Sequence, residues 1–109
     1  MKLPDKYCGK WRIVQMEKWD HEYIDLVFPG NLTLTKNEMG SLHFGAIDAD
    51  LDFRSEPFED GVRIDFSLEG EDDGSPVSGR GWAKVTEGKM KGRIFFHFGE
   101  ESDFVAAQE

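Results

Sequence analysis

The 109-residue chain has a single cysteine, Cys8, so no internal disulfide framework is open to it. Metal sites built on paired thiols fall away for the same reason. His21, His43 and His97 lie far apart, and none has a second ligand at metal spacing. Positive charge is scarce: 13 Lys and Arg stand against 22 Asp and Glu, a net charge of −9. A field of that sign repels phosphate backbones and anionic head groups, so neither nucleic acid nor a membrane surface is expected as a partner. No stretch approaches the ~18 apolar residues of a membrane span, and the opening Met1-Lys2-Leu3-Pro4-Asp5 lacks the apolar core of a secretion signal. A cytoplasmic, soluble protein is the expectation. No cofactor is expected either. Gly79-Arg80-Gly81 begins like a dinucleotide fingerprint, but Lys84 stands where the third Gly belongs and a strand pattern follows in place of a helix.

Aromatic residues are plentiful, with nine Phe and three Trp, and they are spread along an alternating pattern. Val62, Ile64, Phe66 and Leu68 interleave with Arg63, Asp65, Ser67 and Glu69, the period of a strand with one wet face. Trp11, Ile13 and Gln15 interleave with Arg12, Val14 and Met16 in a strand that buries parts of both faces. Leu32 and Leu34 form a third alternation, and Lys36 to Gly40 a turn. Leu42, Phe44 and Ala46 share one parity and Ile47, Ala49, Leu51 and Phe53 the other, so a bulge or bend is expected at Gly45. A loop over 69–78 precedes strands from Gly79 to Val85, Met90 to Phe98 and Asp103 to Ala107. Asp20 is a helix N-cap, with Trp19 and Ile24 at staple positions, and predicts one short helix near residues 21–27. The links are too short for parallel crossovers. The fold class is therefore all-β: one domain, 1–109, built as a small antiparallel meander barrel of about eight strands that closes to remove its edges.

Two resemblances follow from these residues. The opening Gly9-Lys10-Trp11 resembles the Gly-x-Trp start of lipocalins, and the barrel is lipocalin-like in outline. The resemblance implies that Trp11 plugs one barrel end under an arginine from a late strand, Arg80 or Arg93, while the short helix acts as a lid over the open end. Trp19-Asp20, Leu26 to Gly30, Phe44-Gly45, Ser78 to Trp82, Ile94 to His97 and Asp103 to Ala106 resemble a family of uncharacterised small acidic bacterial β-proteins. That likeness implies the domain and no activity.

Candidate chemistry is thin. Asp48, Asp50, Asp52 and Glu59 occupy positions 1, 3, 5 and 12 of a calcium loop, but Phe53 replaces its Gly, and alternating Asp is also the wet face of a strand. Lys6 and Lys10 near Cys8 would lower its pKa slightly. Ser102 and Asp103 follow His97 on a turn, without the elbow a nucleophile needs, so catalysis is not expected. The candidate ligand-binding residues are Trp11, Arg80, Trp82, Tyr23 and His97. Trp82 shares a strand face with Arg80 and Lys84, which reads either as a ring held among cations at a binding rim or as a cap closing a barrel end. Two functions stay open: a binding module taking a small ligand at the barrel mouth, or an accessory protein meeting a basic partner through its acidic surface. Phe44, Phe53, Phe66, Phe96 and Phe98 are expected to point inward and fill the barrel.

Overall fold

In the computed structural model, which describes residues 2–109, the alternating stretches become eight antiparallel strands in chain order. They are β1 (Gly9–Met16), β2 (Asn31–Leu34), β3 (Met39–Phe44), β4 (Ile47–Phe58), β5 (Gly61–Asp72), β6 (Ser75–Thr86), β7 (Lys89–Phe96) and β8 (Glu101–Gln108). Each pairs with the next, and β8 returns to β1 to close the barrel. The all-β meander barrel that the periodicity demands is the observed fold. No described helix is long and apolar enough to cross a membrane.

The interior is filled by side chains. Trp11, Phe44, Phe53, Phe66 and Phe104 are all buried, together with the inward Val62, Ile64 and Leu68 of β5. Small residues make room for the rings: a Cβ on Gly81 would fall 2.5 Å from the Phe66 ring, and one on Gly92 2.8 Å from that of Phe104. Each ring so buried contributes about 1.5–3 kcal/mol.

Several details differ from the alternation. Gly45, at φ 59, does not bend a continuing strand; with Ala46 it forms a two-residue hairpin that reverses the chain between Phe44 and Ile47. The bulge lies instead in β1, where the register against β8 shifts between Ile13 and Gln15. This shift carries burial from Trp11 and Ile13 to Met16 on the opposite parity, which explains a strand apolar on both faces. The Val14 carbonyl at the bulge meets Nε2 of His21 at 2.6 Å. The segment 69–78 is no loop, because β5 and β6 pair down to Asp72 and Ser75, leaving only Asp73-Gly74 as the turn. Phe98 does not point inward: β7 stops at Phe96, and Phe98 has φ 58 and is 98% exposed.

The helix is the single turn α1 (His21–Ile24), shorter than expected. Asp20 caps it as predicted, its side chain accepting the Tyr23 N–H at 2.9 Å. Asp25 is its C-cap, and the carboxylate ties the turn to the barrel: one oxygen pairs with Arg12 at 2.6 Å and the other accepts the Gly30 N–H at 2.9 Å. Asp20→Ala is expected to cost about 1 kcal/mol by loss of the cap. The midpoint of urea unfolding should fall with its slope unchanged.

Candidate functional site: a cleft at the helical end

Strand lengths create the site. β4, β5 and β6 have 12 residues each, whereas β7 has 8 and β3 has 6. The β6–β7 ladder ends at the pair Gly79 and Phe96, so Ser75 to Val77 stand beyond the barrel wall with β5 as their ladder partner. Beneath this overhang, between the β5–β6 tip, α1 and the 97–100 turn, lies a cleft of about 600 Å³. Its lining includes Trp19, Tyr23 and Phe96, with Glu69, Asp72, His97 and Glu100 also contributing.

The three rings form one cluster. Trp19 lies 6.2 Å from Tyr23 between centroids at an interplanar angle of 21°, and 6.4 Å from Phe96 at 82°. Phe44 underlies them, 5.0 Å from Trp19 and 6.3 Å from Phe96. Phe44 is fully buried, whereas Trp19, Tyr23 and Phe96 are half-buried and face the cleft. Burial pushes the Tyr23 phenol pKa up, and the negative charge of Asp72 adds to the shift. The phenol is therefore neutral at ordinary pH. Gly45 permits Tyr23 to sit where it does, since a methyl there would run into the ring edge and fall 2.7 Å from its hydroxyl oxygen.

Of the five candidate residues, the structure brings Tyr23 and His97 together in this cleft. Arg80 borders a shallower neighbouring groove with Ser78, Phe95 and His97, its guanidinium 4.4 Å from the Phe95 ring centroid. Trp82 lines neither cavity. Its ring does lie among cations, with Arg63 at 4.9 Å and Lys84 at 6.0 Å, so Arg63 takes the place expected of Arg80. Trp11 is fully buried near the start of β1, its Nε1 donating to the Tyr7 carbonyl at 2.9 Å. That bond ties it to the turn Asp5–Tyr7. Neither late-strand arginine covers it: Arg80 stacks on Phe95, and Arg93 is held outside by Glu101 and Asp103.

Other candidates resolve into structure. Asp48, Asp50 and Asp52 are exposed on the outer face of the extended β4, as a wet strand face requires. Ser102 is fully buried and holds the chain locally, accepting the Lys18 N–H at 3.1 Å and donating to the Asp103 carbonyl at 2.9 Å. The Cys8 thiol pKa is raised, not lowered, by burial and by Asp5.

The outer face also carries an unusual row. Arg63 lies opposite Lys84, and Lys84 opposite Lys91. Like charges directly opposed across a sheet repel. Lys91→Glu would place an acid against Lys84 and is expected to raise stability by about 0.5 kcal/mol, read as a higher urea midpoint; a lower midpoint would show that the row is relieved by other means.

The chain matches no family model, no curated protein and no solved structure. The reading of the cleft therefore rests on its own geometry.

Proposed function

We propose that the protein is a small-molecule binding module whose site is the cleft at the helical end of the barrel. The observation that carries this reading is the gathering of Trp19, Tyr23 and Phe96, only half-buried, around a space of about 600 Å³ on a barrel that is otherwise filled. Ligand sites commonly measure about 300–1,000 Å³ and combine apolar walls with a few polar groups. The ligand meets the cleft by a flat apolar face. A lipocalin-like arrangement, in which Trp11 would plug the other end, supports the same choice; Trp11 is fully buried and donates to the Tyr7 carbonyl.

Phe98 adds to the case. A bulky residue held at positive φ costs about 1–3 kcal/mol, yet its ring is left in water beside a turn whose neighbours His97, Gly99 and Glu100 line the cleft. An occupant beneath the ring would return its exposed face to an apolar contact.

A second reading, an accessory protein for a basic partner, draws on the outer face of β4 and β5, where Asp48 opposes Glu71 and Asp50 opposes Glu69. The cleft is favoured because a solvated acidic face needs no partner, whereas half-buried aromatic rings around a cavity keep apolar surface in water.

The test is a screen of small aromatic fragments against ¹⁵N-labelled protein. Binding should shift the amide signals of Trp19, Tyr23, Val77, Phe96 and His97 and leave those of Trp11 and Trp82 in place. Shifts centred on Asp48, Asp50 and Glu71 with an added basic peptide, and none in the cleft with any fragment, would favour the second reading.

A further inference from the structure

We infer that the occupant of the cleft is an organic cation, an amine or quaternary ammonium group carried on a flat apolar body. This rests on the cleft being the binding site.

Charge around the cleft has one sign. Glu69, Asp72 and Glu100 line it, and no lysine or arginine does. Among the described residues none of these three carboxylates has a cationic partner within ion-pair distance, although cations are spent on carboxylates elsewhere. Asp25 is paired with Arg12, Asp5 with Lys36, Asp52 with Arg54 and Asp65 with Arg63. The three cleft carboxylates thus keep their charge without a pairing cation, and Arg80, in the neighbouring groove, is set over the Phe95 ring.

The aromatic lining agrees in sign. The faces of Trp, Tyr and Phe rings are electron-rich and attract a cation set over them. Trp19 and Tyr23 are nearly parallel, with Phe96 edge-on to Trp19, so the rings present faces in more than one direction. An anion would meet three carboxylates and electron-rich rings together. A neutral ligand would gain from the rings and could offer the acids a hydrogen bond, but would leave their charge uncompensated. A cation answers both the charge of the acids and the faces of the rings. Asp72 and Tyr23 line the same cleft, and after burial the Asp72 charge is what pushes the phenol pKa up.

Three probes of similar shape test this: phenethylamine (protonated at neutral pH), 2-phenylethanol and phenylacetate. Each is titrated against the full chain at physiological ionic strength, with the amide signals of the cleft as readout. The ammonium is expected to bind about tenfold more tightly than the alcohol, and phenylacetate not to bind. In the triple variant Glu69→Gln, Asp72→Asn, Glu100→Gln the margin of ammonium over alcohol, both measured on that variant, should shrink to what the rings alone supply. Equal binding of alcohol and ammonium would overturn the inference and leave the cleft as a site. A margin as large in the triple variant as in the parent chain would also overturn it, because the three carboxylates would then play no part in choosing the occupant. If none of the probes shifts the cleft signals, the inference fails and the binding site fails with it. All three substitutions lie on exposed or half-buried side chains, so the fold is preserved.

Discussion

Trp11→Ala is expected to cost about 3–5 kcal/mol and to leave the domain close to unfolding, without revealing a ligand. The side chain is fully buried, and its Nε1 donates to the Tyr7 carbonyl at 2.9 Å. Truncation removes the largest fully buried ring, opens a cavity in the core, and takes an indole donor from the Tyr7 carbonyl in the turn Asp5–Tyr7. Domains of this size hold roughly 5–15 kcal/mol in total, so the loss is a large share of the whole. Urea unfolding followed by circular dichroism is the measurement. Trp82→Ala makes the contrast: this ring lies half-buried on the outside between Arg63 and Lys84. Its loss should cost about 1 kcal/mol. Equal costs at the two positions would show that the burial of Trp11 carries no special weight in the core.

The difference between these two tryptophans marks how far the sequence was legible. Strand content, hairpin order and closure follow from period-two patterning, because each inward parity must find a core and each outward one water. Asp20 as a cap was legible because capping is local. The cleft was harder to read. Glu69 to Ser78 carries acids, Gly and Pro, a composition that reads as a loop, yet β5 and β6 pair through most of it. Ladder hydrogen bonds along a long hairpin outweighed local propensity there. Without that overhang the sequence gives no reason to set Asp72 and Val77 against Trp19 and Phe96. Tyr23 and His97 stand out in the sequence as candidates, whereas Trp19 reads as a helix staple and Phe96 as core. Continued alternation places Phe98 inward, whereas β7 stops two residues earlier. Pairing Arg80 with Trp82 by parity failed for a related reason. Residues two apart share a face, but the nearer cation came from the adjacent strand, where Arg63 reaches across from beside Lys84.

Gly45→Ala links fold and site, and its expected cost is about 2–4 kcal/mol from two separable causes. The first is backbone. Gly45 occupies the first position of a two-residue hairpin at φ 59, where a Cβ costs about 1–2 kcal/mol. The second is steric, because the new methyl would overlap the Tyr23 ring that packs over the turn. The Gly45 N–H also donates to the Ile24 carbonyl at 3.0 Å, so a shifted turn pulls on α1 as well. Tyr23 is an aromatic wall of the cleft, and displacing it should weaken ligand binding beyond what the loss of stability explains. A double-mutant cycle with Tyr23→Ala separates the two causes. In the Tyr23→Ala background the overlap is gone, so Gly45→Ala should cost only the backbone part, about 1–2 kcal/mol. An undiminished cost in that background would mean that the ring does not rest on Gly45, and the wall of the cleft would have to be drawn elsewhere.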